Sequence, residues 1–478
     1  MTQSRWFRLA LFSTLVAVCI GGISSSKSRL PQTVDRTGPG SLPPGVTRSD
    51  LNILLITLDT TRADRLGAYG FQSISTPNID RLAREGVLFE QTAAAAPLTL
   101  PAHASLFTGR VPFGHGVRDN AGFVLDRRET TFARILKQRG YQTGAFVGSY
   151  VLASGRGLSQ GFDTYHDDFN PPDQRDIPGG VRRRADEVAD QALSWLAHVG
   201  SSRFFAWLHF YDAHAPYDPP EPYRTLYASR PYDGEIAFMD SQTGRILAFL
   251  RQRGLLDRTI VVVIGDHGES LGDHGEATHG VFVYESVIRV PFIIRTPFER
   301  LRGRIVDDVT RSIDMMPTLL DLLGIRSPAA ADGTSLVPLM TGAVRSLDLE
   351  AYSESLYPLH RFGWSDLHAL RAGRFKVIAA PRPELYDLQQ DPFEEHNVYE
   401  TRRALGERMI ARLRDMEARS SASMSPDRSQ VDVDADLAAR LAALGYVARS
   451  GGSHPTHDAS GLPDPKDQIG VIDPGGRP

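Results

Sequence analysis

Cysteine is nearly absent from this chain, whose 478 residues contain only Cys19. A single thiol excludes an intrachain disulfide and a multi-cysteine metal site. An excess of one charge is lacking as well, since 53 Lys and Arg residues stand against 57 Asp and Glu residues, for a net charge of −4. The charge balance therefore gives no indication of a nucleic-acid partner. The hydrophobic fraction of 41% is ordinary for a globular protein.

An apolar run at the N-terminus, Leu9 to Ile23, follows the basic residues Arg5 and Arg8. This pattern predicts that residues 1–24 form a signal peptide or a short membrane anchor. Cys19 also gives a weak indication of a lipoprotein cleavage site. Residues 25–50 are rich in Ser, Pro and Gly, which predicts a flexible linker. We therefore expect an exported protein, periplasmic or on the extracytoplasmic face of the membrane, with membrane contact through its N-terminal segment.

Three nearly continuous apolar runs, Leu51–Leu58, Phe204–Tyr211 and Thr259–Ile264, have the pattern of buried strands. Amphipathic helices predicted over 130–139 and 181–199 lie between them. This alternation predicts an α/β fold with a doubly wound, mostly parallel sheet. We assign residues 51–348 to this domain.

The pattern changes near residue 349 to short strands separated by turns, for example Lys376–Ala379 and Glu384–Leu388. Residues 349–419 are predicted to form a small C-terminal antiparallel α+β subdomain that a helix from about residue 401 closes. Residues 420–478 are polar and rich in Pro and Gly, and are predicted to form a mostly disordered tail.

Acidic residues follow two of the predicted strands directly: Asp59 after the first, and Asp266 with His267 after the third. Ligand sites in open α/β sheets lie at the carboxyl ends of the strands. Carboxylate and imidazole ligands suit a divalent cation such as Zn²⁺, Mn²⁺ or Ca²⁺. The alternative for Asp59 is a helix N-cap. We predict a metal site.

The segment Ala96–Arg110 runs from a Pro-containing loop into an apolar stretch that Gly109 ends, which predicts a short helix beginning near Thr99. A hydroxyl at a helix N-terminus lies beside unpaired N–H groups that favour a bound anion. The alternative is that Thr99 only caps the helix.

Thr99-Leu-Pro-Ala-His103, followed by Ala-Ser-Leu-Phe-Thr-Gly-Arg110, resembles the signature of the sulfatase family in the alkaline-phosphatase superfamily. The segment Asp266-His-Gly-Glu269 is similar to the family's metal motif, and the likeness extends over 51–419. In the family a Cys or Ser at the position of Thr99 becomes formylglycine. Threonine is a secondary alcohol that cannot form this aldehyde, so no formylglycine is expected. The residue is instead similar to the nucleophile of the phosphodiesterase and phosphoethanolamine or phosphoglycerol transferase branches.

The resemblance implies roles for further residues. The predicted catalytic residues are Thr99, His103, His214 and His279, and the predicted substrate contacts are Arg62 and Asn120. The predicted metal ligands are Asp59, Thr99, Asp266 and His267. A second metal could be held by Asp212, His214 and His279.

We therefore predict an exported, metal-dependent, sulfatase-like hydrolase that acts on sulfate or, given the threonine, phosphate esters through a covalent Thr intermediate. The substrate would be a small molecule or a glycan or lipid ester. One alternative is a phosphoethanolamine- or phosphoglycerol-type transferase. The other is an inactive binding protein that keeps the fold. The loss of the usual signature residues favours this alternative, and the retained metal ligands argue against it.

Overall fold

The computed structural model describes residues 38–169, 181–421, 430–431, 438–441, 444 and 461–471. The predicted leader, residues 1–24, lies outside this part of the chain. Contacts join both sheets described below into one compact unit. The domain bounds 51–348 and 349–419 stay predictions within that unit.

The larger sheet has eight strands. They are β1 (Asn52–Leu58), β2 (Val87–Ala93), β3 (Gln142–Val147), β4 (Thr164–His166), β5 (Phe204–Phe210), β6 (Thr259–Gly265), β7 (Arg289–Arg295) and β8 (Arg304–Arg311). Their order is β4-β3-β5-β1-β6-β7-β2-β8. Strand β7 is antiparallel to both of its neighbours, whereas the remaining pairs are parallel. The predicted mostly parallel sheet is confirmed.

Strand β1 lies near the centre of this sheet, between β5 and β6, and all seven of its residues are buried. Leu58, its last residue, is in register with Phe210 of β5 and Gly265 of β6. The three strands therefore end at the same level. They deliver the following polar segments to one edge of the sheet, where α/β proteins place their ligand sites.

Helices cover both faces of the larger sheet, as a doubly wound fold requires. Ile53 and Leu55 pack in a core cluster with residues of the helix that begins at Thr99. Leu54 and Ile56 pack in another cluster, on the opposite face. The helices are α1 (Pro77–Glu85), α2 (Thr99–Thr108), α3 (Pro112–His115), α4 (Phe132–Gln138), α5 (Ala185–Val199), α6 (Tyr223–Leu226), α7 (Pro231–Gln252), α8 (Glu285–Ile288), α9 (Met315–Leu322), α10 (Val337–Thr341), α11 (Tyr357–Phe362), α12 (Arg403–Ser421) and α13 (Pro465–Gln468). Within the described residues, none of these helices combines the length and hydropathy needed to cross a membrane.

The smaller sheet is antiparallel and has four strands in the order β12-β11-β10-β9. Helix α12 packs on it through Met409 and Leu413. The first strand of this sheet and strand β8 are not apparent in the sequence, because both carry polar and charged residues in place of an apolar run. The strands are β9 (Glu350–Ser355), β10 (Leu367–Ala372), β11 (Phe375–Ala379) and β12 (Glu384–Asp387).

Two segments that were predicted to be part of a flexible linker and of a disordered tail instead pack against the folded protein. Leu42 and Val46, in the second half of the predicted linker, pack against the main core. Residues 461–471, in the predicted tail, pack beside the smaller sheet. There Lys466 Nζ donates to Glu384 Oε1 at 2.7 Å, an ion pair that a composition-based prediction of disorder does not capture.

Candidate active site

Thr99 lies at the first position of helix α2, and Leu98 occupies the N-cap. Its side chain is fully buried. Thr99 Oγ1 lies 3.4 Å from Asp59 Oδ2 and 3.4 Å from His267 Nε2. Leu98, and not Thr99, is the N-cap residue of this helix, and it makes no side-chain capping hydrogen bond, so the structure does not favour the capping alternative for Thr99. The hydroxyl faces the residues that were predicted to hold a metal.

The donor atoms of Asp59, Asp266 and His267 all lie within 4.8 Å of one another, in a fully buried cluster. His267 Nε2 is 3.8 Å from Asp59 Oδ1 and 3.6 Å from Asp266 Oδ2. These two carboxylate oxygens have no hydrogen-bond partner. Buried oxygens without partners are rare and costly. Two carboxylates, an imidazole and a nearby hydroxyl fit a divalent cation.

The pKa values of these three residues also indicate that the site binds a divalent cation. Burial raises the pKa of Asp59 to about 7, and nearby His279 and His103 only partly oppose it. Burial, and then the charge of Asp59, raise the pKa of Asp266 well above its usual value. Burial lowers the pKa of His267 well below its usual value, which leaves the ring neutral. Charge repulsion and burial make this pair of carboxylates unfavourable until a cation binds between them.

His103, predicted to be catalytic, has protein partners at both of its ring nitrogens. Its side chain is fully buried, with Nδ1 2.8 Å from the Thr99 carbonyl oxygen and Nε2 3.0 Å from Thr57 Oγ1. Burial, and then His209, lower the pKa of His103 to about 3. Because protein oxygens engage both ring nitrogens of a neutral ring, His103 supports helix α2. The predicted catalytic role of His103 is corrected accordingly.

The predicted substrate contact of Arg62 is also corrected. Its guanidinium donates to both carboxylate oxygens of Asp64, at 2.9 and 2.8 Å, and to Asp273 Oδ2 at 2.8 Å. It also reaches the carbonyl oxygens of Glu269 and Ser270. Each guanidinium nitrogen therefore has a protein acceptor, and Arg62 connects the loop after β1 to the loop after β6. The sequence showed an arginine beside the predicted site but not its distant acceptors, Glu269, Ser270 and Asp273, which lie 207 to 211 residues later.

Asn120 lies beside the N-terminus of helix α2. Its side-chain oxygen accepts a hydrogen bond from the Leu100 N–H at 2.8 Å. Its side-chain nitrogen is buried and has no partner. An unpaired amide donor next to Thr99 is suited to an oxygen of a bound anion, so the predicted substrate contact remains a prediction that this geometry favours.

His214 and His279 lie together in the site, with ring centroids 5.0 Å apart. His279 Nδ1 lies 3.0 Å from Glu269 Oε1, and Tyr217 donates to Glu269 Oε2 at 2.9 Å. Burial lowers the pKa of His279, but the charge and hydrogen bond of Glu269 outweigh it and the pKa is raised. Burial, and then His279, lower the pKa of His214 well below its usual value. The pair therefore combines a proton-holding ring with a neutral ring.

The predicted second metal site is not formed. Asp212 Oδ1 accepts from the Ala185 N–H at 3.0 Å, at the start of helix α5. His214 Nδ1 lies 2.7 Å from the Ala215 carbonyl oxygen. Within the described residues, Asp212, His214 and His279 do not form a group whose donor atoms could share an ion. The prediction is wrong because Asp212 faces a helix N-terminus.

His209 and Glu269 are site residues that the sequence analysis missed. His209 lies in β5, is fully buried, and has its Nε2 3.2 Å from Asp59 Oδ2. A signal for it was present, because an imidazole interrupts an otherwise apolar strand. Glu269 lies three positions after Asp266, and the sequence did not reveal that it contacts His279.

A family model described as Sulfatase matches residues 51–325, more than half of the chain. The chain belongs to the sulfatase family. A second model, described as N-sulphoglucosamine sulphohydrolase, C-terminal, matches residues 272–419 of this sulfatase-family protein. The resemblance recognised in the sequence is confirmed, and it identifies the protein as an ester hydrolase of a metal-dependent family.

Relatives of this sulfatase-family protein cover most of its length. An arylsulfatase of Clostridium perfringens is 27% identical over 439 residues, covering 73% of this chain and 90% of the relative. A steryl-sulfatase of Mus musculus is 28% identical over 503 residues, covering 75% and 78%. The crystal structure of a phosphonate monoester hydrolase of Agrobacterium radiobacter matches with a TM-score of 0.66 and 25% identity, covering 77% of this chain and 96% of that one.

Proposed function

We propose that this sulfatase-family hydrolase cleaves phosphate esters with Thr99 as its nucleophile, and that it does so after export. The observation that carries the proposal is the position of Thr99 Oγ1, 3.4 Å from both Asp59 and His267 at the N-terminus of α2. Threonine cannot become formylglycine, whose hydrate expels sulfate by collapsing to the aldehyde. A threonine ester lacks that route, whereas a phosphothreonine can be released by water.

Asp59, Asp266, His267 and Thr99 would hold the divalent cation. When bound, the cation neutralises negative charge on the ester oxygens and lowers the pKa of the attacking hydroxyl. The side-chain nitrogen of Asn120 holds a non-bridging oxygen.

Thr99 reacts as its alkoxide, after its hydroxyl proton has passed to solvent. In the first step, Thr99 Oγ1 forms a bond to phosphorus while the bond to the leaving-group oxygen breaks. His279 holds a proton, stabilised by Glu269, and donates it to that oxygen. In the second step, water attacks the phosphothreonine, His279 accepts a proton from this water, and the bond from phosphorus to Thr99 Oγ1 breaks, which returns Thr99 as the alkoxide. The products are an alcohol and phosphate.

The test compares wild type with Thr99→Ala and with the matched control Thr99→Ser, which retains a hydroxyl. The substrates are an aryl sulfate, a phosphate monoester, a phosphodiester and a phosphonate, each with Zn²⁺, Mn²⁺ or Ca²⁺. We expect phosphate-ester turnover in wild type and Thr99→Ser, and a loss of at least about a thousandfold in Thr99→Ala. Mass spectrometry of a quenched reaction should show a phosphoryl adduct on Thr99. Sulfate-ester turnover that survives Thr99→Ala would overturn the proposal.

A further inference from the structure

Tyr211 has an unused hydrogen-bond donor in the buried site. It directly follows β5, at the edge of the sheet where Asp59 lies, and its side chain is buried. Its hydroxyl has no hydrogen-bond partner, and Ser149 lies near it without hydrogen-bond geometry. Burial, and then the charge of Asp59, raise the pKa of Tyr211 well above its usual value, so the hydroxyl keeps its proton. A buried hydroxyl that can donate and has no acceptor is suited to an oxygen of a bound substrate.

A row of aromatic rings connects the predicted metal ligand His267 to Tyr211. The ring centroid of His279 lies 4.5 Å from that of His267, and His214 follows at 5.0 Å from His279. Tyr211 stacks on His214, with ring centroids 4.4 Å apart and 20° between the ring planes. In the proposed mechanism His279 donates its proton to the leaving-group oxygen. We therefore expect the alcohol part of the ester to extend from His279 along His214 and Tyr211.

Arg182 places a positive charge beside these rings. Its backbone forms an isolated antiparallel bridge with Ser149, just beyond the end of β3, and its charge acts on both Tyr211 and His214. Its side chain is partly buried. Within the described part of the chain the guanidinium makes no ion pair, and its hydrogen bond is from Nη1 to the Pro216 carbonyl oxygen at 3.3 Å. Most of its donor groups are therefore available to a ligand.

The carboxyl group of Glu235 does not neutralise this charge. Burial, and then Asp212, raise the pKa of Glu235 to about 9 against a smaller opposing effect of Arg182. Glu235 is therefore protonated at neutral pH, and its Oε1 accepts from the Asp218 N–H at 2.7 Å. Arg182 keeps an uncompensated guanidinium beside Tyr211, and a guanidinium binds the oxygens of carboxylate, sulfate and phosphate groups through charge-assisted hydrogen bonds.

We infer that Arg182 and Tyr211 bind an anionic substituent on the alcohol part of the ester, so that the preferred substrates carry a second negative charge. The oxygens of the substituent accept from the Tyr211 hydroxyl and from the guanidinium of Arg182. A neutral alcohol leaves both donors without this partner, which lowers its affinity. The inference rests on the proposed function for the place of the alcohol beside His279. It does not depend on the identity of the nucleophile or on the choice between phosphate and sulfate esters.

Two isosteric substrates test this inference. The para-carboxyphenyl and para-carbamoylphenyl phosphates have almost the same shape and differ by one negative charge. The neutral carbamoyl group makes the better leaving group, so a preference for the carboxylate reports binding. We expect wild type to prefer the carboxylate by about 10- to 100-fold in kcat/KM, through a lower KM.

Variants assign this preference to its residues. We expect Arg182→Gln to reduce it to about twofold or less and Arg182→Lys to restore part of it. Tyr211→Phe, which removes only the hydroxyl, should reduce the preference by about fivefold. The matched control is Arg184→Gln, because Arg184 is exposed and pairs with Asp186 at 3.1 Å, and this variant should keep the preference of wild type. Equal kcat/KM for the two substrates in wild type, or an unchanged preference in Arg182→Gln, would overturn the inference.

Two further measurements separate this inference from the proposed function. The same two alcohols are supplied as sulfate esters, so that the charge preference is measured whichever ester is cleaved. Calorimetry with para-hydroxybenzoate and para-hydroxybenzamide needs no turnover, and we expect the full-length protein to bind the benzoate at least about tenfold more tightly. Thr99→Ala should keep this difference while losing turnover, and Arg182→Gln should lose it. Equal binding of the two alcohols to wild type would overturn the inference and leave the proposed nucleophile unaffected.

Discussion

Removal of the metal should make the stability of this protein depend strongly on pH. Burial raises the pKa of Asp59 from 3.8 to about 7 in the folded state. Between these values the unfolded chain has released the proton while the native protein still holds it. Because the native state then binds more protons, the free energy of unfolding falls as the pH rises through this window.

The size of the effect follows from the shift. A difference of about three pKa units corresponds to about 4 kcal/mol, which lowers Tm by about 5 °C in a protein of several hundred residues. A bound divalent cation favours the ionised carboxylate and removes this loss. We therefore expect the metal to raise Tm by much more at pH 8 than at pH 5.

The assay is thermal unfolding of the apo and metal-loaded protein at pH 5 and pH 8. Asp59→Asn is the control that isolates this carboxylate, because Asp212 and Glu276 are also buried and have pKa values raised to about 7. Apo Asp59→Asn should be more stable than apo wild type by about 4 kcal/mol at pH 8 and by less than about half of that at pH 5. An equal metal-induced rise in Tm at both pH values would refute the reasoning.

Two further predictions concern stability away from the site. Burial lowers the pKa of His368, but Asp366 and Glu417 outweigh burial and raise it to about 10. The stabilisation of the folded protein by the protonated His368 ring is complete below about pH 6.5 and is lost as the pH rises through 10. In urea unfolding, His368→Gln should be destabilised by roughly 3 kcal/mol at pH 7, and its free energy of unfolding should not fall further as the pH rises through 10. A fall as steep as that of wild type would contradict the assignment. Asp240 accepts two backbone N–H groups at the start of helix α1, at 2.8 and 3.1 Å, so Asp240→Ala should cost about 2 kcal/mol in the same assay. Asp190→Ala, at an exposed ion pair, should cost less than about 0.5 kcal/mol, and equal losses in these two variants would show that the N–H contacts of Asp240 do not stabilise the helix.

The sequence was sufficient wherever the information is local. The apolar run of β1 followed by Asp59, and that of β6 followed by Asp266 and His267, identified both the central strands and the cluster at their ends. Parallel strands that lie side by side end at one edge, so order along the chain predicts proximity there. The loop-to-helix pattern placed Thr99 at the start of a helix in the same way.

Tertiary structure decided which partner each polar side chain received. Arg62 binds acidic residues instead of substrate, Asp212 faces the start of helix α5, and both nitrogens of His103 contact protein oxygens. Conversely, the fold brought Glu269 to His279 and His209 to Asp59. Hydrogen bonds act over about 3 Å and depend on direction. They are therefore set by packing between elements distant in sequence, which a linear pattern of residue types does not contain.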